Sequence, residues 1–348
     1  MRILYILLLL PLFNFAQIPF GYYDDADGLE GENLRTALYN IIKDHNVESY
    51  DDLWTDFQTT DKKANGKVWD MYSIHADGTA NYEYTFVSDQ CGNYSGEGSC
   101  YNREHSFPKS WFNDASPMYT DLFHLYPTDG YTNGMRSNYP YGEVGSATWT
   151  STNGSKKGNN VYPGYSGTVF EPIDEFKGDF ARTYFYMVTR YKNVVSGWNS
   201  DMLTDDNLST WATNMLMDWA DADPVSQKEL DRNNDVYDIQ NNRNPFIDHP
   251  EYICLIWGSN CNAALYDYTN ASFTIFPNPT ENYFQLNLTN PKVSVSSVEI
   301  YSITGELIFV DTDYTKNEKY DISEFEKGIY IINILTDKVS ITKKLTVN

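Results

Sequence analysis

Basic residues are scarce in this chain. Its 348 residues carry 25 Lys and Arg against 48 Asp and Glu, a formal charge of −23. Phosphate contacts usually come from a basic surface, so this shortage excludes a polyanion binder that works by surface charge alone. The deficit is not confined to a tail. Residues 271–348 hold ten acidic residues and seven lysines, a net of −3, which leaves −20 on residues 1–270. Histidine and cysteine are few as well, at five and four. No two cysteines have the two-to-four-residue gap of a typical zinc knuckle, so a structural zinc site is not expected. Cys-x-x-Cys, His-Glu-x-x-His, Gly-x-Ser-x-Gly and a Gly-rich phosphate loop are all missing, and with them the chemistries those motifs carry. Asp231 to Asp235 opens like a calcium loop, but Val236 stands where Gly is needed and Asn242 where Glu is needed.

Long apolar runs are also missing, with one exception. Met1-Arg2 is followed by an apolar run from Ile3 to Phe13, then Asn14-Phe15-Ala16. Residues 1–16 read as a secretory signal peptide, too short to span a bilayer as a stable helix. No stable membrane span is expected elsewhere. The mature chain is then exported and soluble, and local cysteine pairs in an exported protein read as disulfides, Cys91 with Cys100 and Cys254 with Cys261.

What the sequence has in quantity is aromatic side chains, 16% of the residues and largely Tyr. That is ample material for a core. Leu34, Leu38, Ile41 and Ile42 give residues 29–46 helical spacing, and residues 49–58 read as a second, short helix. Val68–Tyr72 and Tyr82–Val87 read as strands. Residues 144–178 read as a long loop with strand fragments. Asp179–Tyr191 and Leu208–Trp219 read as helices, and Pro224 can open another. Asn244 to Glu251 is a breaker segment before a short helix over 250–257. Near residue 270 the texture changes to short alternating strands, from Ser272 to Val347, which read as a small all-β sandwich. The expected division is therefore residues 1–16, 17–270 and 271–348.

Catalytic residue types concentrate in residues 101–143. Tyr-Asn-Arg-Glu-His-Ser-Phe-Pro-Lys-Ser-Trp-Phe opens this stretch, and Asp-Leu-Phe-His-Leu-Tyr-Pro and Asn-Gly-Met-Arg-Ser-Asn follow. Hydrolysis of a phosphodiester needs an activated water, neutralised phosphoryl charge and help for the leaving oxygen. Glu104-His105 places a metal carboxylate beside a base suited to neutral pH. Residues 121–127 read as a strand that Pro127 stops. Residues 129–138 read as a helix capped by Thr128 or Asp129. Asn133 can offer an amide oxygen to the metal, with Asn138 the competing ligand. Arg136 lies one turn on and is the first choice to reach a phosphate. Arg103, Asn138, Glu143, Arg182 and Arg190 are candidates for substrate contact or site support. Glu143 either bridges an arginine or touches metal. Arg182 and Arg190 share a helix face, where pairing with acids competes with substrate contact. His124 reads as a buried hydrogen-bonding residue rather than a second base.

These motifs resemble the secreted bacterial endonuclease I family, non-specific nucleases with a ββα-metal site. The resemblance runs over residues 29–258 and includes Arg-Asn-Pro-Phe-Ile-Asp-His-Pro-Glu at 243–251. It implies an α+β fold: a ββα-metal finger in mainly helical surroundings. It also implies Glu104 and Asn133 as metal ligands, His105 as general base, and Mg2+ as the ion, with Mn2+ or Ca2+ as alternatives. One departure stands out, since Asp-Leu-Phe-His-Leu displaces the family's histidine by one place. Phe276-Pro-Asn-Pro-Thr, Gly328-Ile-Tyr-Ile-Ile and Lys344-Leu-Thr-Val resemble the C-terminal sorting domain of the type IX secretion pathway. The expectation is a secreted, monomeric endonuclease acting on DNA and RNA, with the secretion machinery as its second partner. Two rivals stand beside it: a phosphodiesterase or phosphatase on a smaller ester, and a non-enzymatic secreted adhesion or carbohydrate-binding protein.

Overall fold

Residues 18–19, 21–258, 273–288, 295–315, 319–336 and 340–348 are described by the structure, a computed structural model. The expected signal peptide and Cys261 lie outside the described residues, so the Cys254 pairing does too. Two compact units divide after Gly258. Among the described residues no helix is long and apolar enough to cross a membrane.

In the first unit, α1 (Gly31–Ile42) buries Leu34, Leu38 and Ile42, one face at four-residue spacing. The second helix, α2 (Leu53–Thr60), buries Leu53 and Phe57. Strand β1 (Tyr101–His105) pairs antiparallel with β2 (Leu125–Asp129), and α3 (Gly130–Arg136) follows at once. A three-stranded antiparallel sheet comes next: β3 (Val144–Thr150), β4 (Lys156–Asn160) and β5 (Thr168–Glu171). The strand fragments expected within the long loop over 144–178 are therefore these three strands, joined into one sheet that the sequence did not announce. Its signal was hidden because β3 is exposed along most of its length and its pairing with β4 shifts register twice, so no apolar alternation marks it.

The axis of this unit is α4 (Lys177–Arg190), in which all 14 residues are buried. Such a helix has no solvent face, and its polar side chains must find partners inside. A two-residue hairpin of β6 (Leu203–Thr204) and β7 (Asn207–Leu208) leads to α5 (Thr210–Ala222). The next helix, α6 (Gln227–Gln240), starts three residues past Pro224. A capping box decides the start: Ser226 accepts from the Glu229 amide while the Glu229 carboxylate accepts from the Ser226 amide. The breaker segment holds a short helix, α7 (Pro245–Asp248), capped by Asn244, and α8 (Glu251–Trp257) closes the unit.

The strands expected at 68–72 and 82–87 do not form. Val68 makes an isolated bridge with Lys62, and Asp70 turns the chain by accepting from the amide of Tyr72 at 2.8 Å. Val87 has a φ of 70°, which ends any ladder there. Val68, Tyr84 and Tyr101 pack as a small apolar cluster, so ring burial holds this region rather than strand pairing.

The second unit has two antiparallel sheets. One orders β11 (Leu307–Asp311), β10 (Val295–Ser302), β13 (Gly328–Thr336) and β14 (Ser340–Val347); the other orders β12 (Lys319–Asp321), β9 (Tyr283–Leu288) and β8 (Phe273–Phe276). Phe284 and Leu286 from one sheet share a core with Val298, Ile300, Ile332 and Ile334 from the other. The short strand β12 was not anticipated.

Candidate active site

The site is built on the β1–β2–α3 unit. Its register sets Glu104 opposite Tyr126 and His105 opposite Leu125. Asp129 ends β2 and starts α3, its carboxylate accepting from the Thr132 amide at 2.6 Å. The same carboxylate accepts from the Tyr84 hydroxyl and from the Gly98 amide, which fastens the loop before β1 to the helix start. That loop is closed by a Cys91–Cys100 disulfide, as expected. Beneath it, Asp70 accepts from the Asp129 amide. Burial and the neighbouring Asp129 push the Asp70 carboxyl up to about 7. The strand expected over 121–127 begins only at Leu125, because Asp121 instead caps a single turn by accepting from the Phe123 amide.

His105 is 6% exposed at the end of β1. Its Nε2 lies 3.0 Å from the carbonyl oxygen of Tyr119. A carbonyl only accepts, so Nε2 carries the proton and Nδ1 the lone pair. Among the described residues Nδ1 makes no hydrogen bond. Tyr50 stacks at 6.1 Å and Tyr119 tilts over the ring at 5.2 Å. Burial first, then His124, lower the imidazole's pKa well below its ordinary value, so it is a neutral base at pH 7.

Glu104 is 2% exposed. Its Oε1 accepts from the Tyr72 hydroxyl at 2.9 Å and lies 3.3 Å from the Arg136 guanidinium. Burial raises its pKa, with Arg136 and Tyr72 opposing the shift. Its Oε2 accepts no hydrogen bond among the described residues. From α3 the Asn133 amide reaches the carbonyl of Arg103 at 3.4 Å, which brings it to the residue beside Glu104. A carboxylate oxygen and an amide oxygen are a hard donor set that suits a cation keeping most of its water. No group of three or more His, Cys, Asp or Glu that could hold a metal occurs among the described residues.

Arg136 is not where a phosphate could meet it. It is fully buried, and its guanidinium donates to the carbonyls of His105, at 2.9 Å, and of Ser106. Its plane lies 4.7 Å from the Tyr141 ring. Every direction it faces is protein, because α3 packs its last turn against β1. Arg182 and Arg190 are buried too. Arg182 grips Glu229 with Nε and Nη2, and Arg190 donates to Nδ1 of His45 at 3.0 Å. Glu143 pairs with Lys177 at 3.0 Å rather than with an arginine. Asn138 is exposed and reaches the Ser110 hydroxyl at 3.5 Å. His124 is fully buried, with Nε2 on the Met118 carbonyl at 2.6 Å.

Arg103 alone of the candidate arginines keeps a face outward, with a side chain 13% exposed. Tyr50 and Trp54 sandwich its guanidinium at 3.5 and 4.3 Å. Lys109 is exposed 5.2 Å from the Tyr119 ring. Residues that sequence reasoning passed over are Tyr72, Tyr141 and Tyr184. Tyr72 and Tyr141 are joined hydroxyl to hydroxyl at 2.8 Å, and Tyr184 donates to the Ser106 carbonyl. Their only signal was the abundance of tyrosine.

Residues 30–251 match the family profile described as Endonuclease I. The chain belongs to the endonuclease I family. Nucleases of this family are generally metal-dependent. The chain is 36% identical over 245 residues to an extracellular ribonuclease of Bacillus amyloliquefaciens, covering 68% of this chain and 78% of that one. It is 33% identical over 244 residues to the extracellular ribonuclease of Bacillus subtilis (strain 168), with the same coverage. An endonuclease-1 of Buchnera aphidicola subsp. Acyrthosiphon pisum is 29% identical over 129 residues, covering 37% of this chain and 44% of its own. Residues 274–348 match the secretion system C-terminal sorting domain. This endonuclease I chain is a secreted nuclease.

Proposed function

We propose that the chain is a metal-dependent endonuclease that hydrolyses phosphodiester bonds of RNA and DNA through one His general base. The observation that supports this most is the fixed tautomer of His105, a neutral imidazole with its Nδ1 lone pair unused beside a carboxylate held in place by Tyr72 and Arg136. RNA is included because the relatives sharing most of the chain are named ribonucleases.

His105 Nδ1 takes a proton from water as the water oxygen forms a bond to phosphorus. The bond from phosphorus to the leaving sugar oxygen breaks, and that oxygen is reprotonated from solvent. A divalent cation held by Glu104 and Asn133, Mg2+ first among the candidates, would neutralise the phosphoryl oxygens and assist the leaving oxygen. Arg136 acts through Glu104, keeping its carboxylate charged and aimed. Arg103, clamped between two rings, and Lys109 are the groups placed to meet the flanking phosphates. The β1–β2–α3 order supports a ββα finger. The test is cleavage of labelled RNA and plasmid DNA with and without EDTA. Activity on both, abolished by EDTA and restored by Mg2+, is expected; undiminished cleavage in EDTA would overturn the reading.

A further inference from the structure

Beside the site lies a cavity of about 500 Å³ whose lining includes Ser110, Asn138, Tyr139, Tyr165, Asn199 and Asp201. The same two chain segments that carry His105 and Arg136 form its wall. Ser110 is five residues past His105, a span of at most about 18 Å. Asn138 follows Arg136 by two and reaches Ser110. The opposite wall is docked on this one through the Asn199 amide, which donates to the Trp111 carbonyl at 3.0 Å. A polynucleotide cut at His105 therefore passes this cavity within a few nucleotides.

The lining chemistry selects what enters. It has amides, hydroxyls, aromatic rings and one carboxylate, but no cation. A phosphate is repelled there, whereas an unstacked base finds both rings and polar groups. Tyr165 stacks on Trp211 at 4.7 Å and 12°, which makes a stiff aromatic wall. The Tyr165 hydroxyl donates to Oδ2 of Asp201 at 3.0 Å, which orients the carboxylate and leaves Oδ1 and the second lone pair of Oδ2 to accept a pair of donors. The Lys157 ammonium stands 5.7 Å from the Tyr139 ring and makes no ion pair among the described residues, so a phosphate outside the cavity has a partner. A carboxylate only accepts. Guanine alone presents two adjacent donors, N1–H and N2–H, on its pairing edge. Adenine and cytosine turn a ring-nitrogen lone pair toward the same place, and uracil flanks its single donor with carbonyls.

Resting on the nuclease reading, we propose that this cavity is a base subsite for an unpaired guanine, read by Asp201 and packed by Tyr139 and Tyr165. It biases where an otherwise general nuclease cuts single-stranded substrate. The test uses the full mature protein and end-labelled RNA oligomers, each with one guanine, adenine or cytosine in a uridine background, and an all-uridine control. Wild type should cut at a fixed distance from the guanine about tenfold faster than in the control, within the discrimination of a good bidentate base contact. Asp201→Asn should reduce that preference to within about twofold while the all-uridine rate stays the same. Tyr165→Phe, which keeps the carboxylate but removes its anchor, should give a partial loss and guards against misfolding of the first variant. Equal cutting beside every base, a preference for another base, or a guanine preference that survives both variants would overturn the proposal. A wild-type protein that cuts none of the oligomers would refute the nuclease reading itself.

Discussion

Replacing Arg136 with Met separates two roles that sequence position alone leaves entangled. In the structure Arg136 is the buried counter-charge of Glu104 and the donor to two carbonyls at the end of β1. Removing one partner of a buried pair costs about 3–5 kcal/mol, because the other charge stays buried and uncompensated. For a unit of this size each kcal/mol moves the melting temperature by about 2–4 °C, so a fall of roughly 6–20 °C is expected. Nuclease activity should fall with it, since Glu104 gains protons when its counter-charge goes. Thermal denaturation followed by circular dichroism measures the first quantity and cleavage at a temperature where the variant is folded measures the second. Arg136→Lys should recover little, because the single nitrogen of an ammonium cannot replace the two separated guanidinium nitrogens that reach the two carbonyls and the carboxylate. Adding Glu104→Gln to Arg136→Met should restore part of the lost stability even though the double variant is inactive. If Arg136→Met melted like wild type yet lost activity, the guanidinium would be meeting substrate and the structural assignment would be wrong.

His105→Ala should fold normally and lose activity by about a hundredfold or more, the ordinary contribution of a general base; a folded variant that still cuts would remove the assignment. The share of stability contributed by Asp70 should fall as pH rises from about 4 to about 7, because its carboxyl sits at about 7 when folded, binds its proton more tightly than the unfolded chain does, and loses that advantage on ionising; the buried histidines, with depressed pKa values, act in the opposite sense. By linkage this group contributes on the order of 4 kcal/mol, read as the difference in stability between wild type and Asp70→Asn in denaturant titrations; a difference that does not change over that range would contradict it. Unreduced peptide mapping should recover Cys91 joined to Cys100, and Cys91→Ser with Cys100→Ser should lower stability by roughly 2–3 kcal/mol for so short a loop. A chain of residues 17–270 should fold and cut nucleic acid at close to the full-length rate; a well-folded one that has lost most activity would make the C-terminal unit part of the enzyme.

Much of this was legible beforehand, for definable reasons. α1 and α4 announced themselves through side-chain periodicity, and the start of α3 through a cap at Asp129; Pro127, read as the stop of the preceding strand, instead lies in the middle of β2, paired with Arg103. The hairpin from β3 to β4 was not legible, because a strand exposed on both faces carries no alternation. Val68–Tyr72 and Tyr82–Val87 misled because aromatic enrichment reads as strand, whereas here the rings pack on one another between turns. At the candidate site, residue types singled out Glu104 and His105, since carboxylate and imidazole chemistry is local. The place of Arg136 was not readable. Whether a guanidinium on a helix points outward or in depends on what packs against that helix, and here β1 does. The tyrosines around Glu104 come from residues far apart in sequence, so no window of the chain displays them together.

Six arginines, at 35, 136, 182, 190, 232 and 243, are buried, and only Arg103 among the described ones is not. Inside a chain of such negative charge, the guanidinium groups act as interior cross-links. Among the described residues, what fixed positive charge is left outside, to displace the ion atmosphere of a nucleic acid, is lysine and Arg103, and little of it lies near the site. With Arg103, Lys109 and Lys157 as the outward cations near the site, about three phosphates would be neutralised and about two counterions released on binding a single strand. The logarithm of affinity would then fall with the logarithm of salt at a slope near −2, far shallower than for a basic nucleic-acid binder. An enzyme so made holds its substrate weakly in dilute buffer, yet gives up little of that grip in brine.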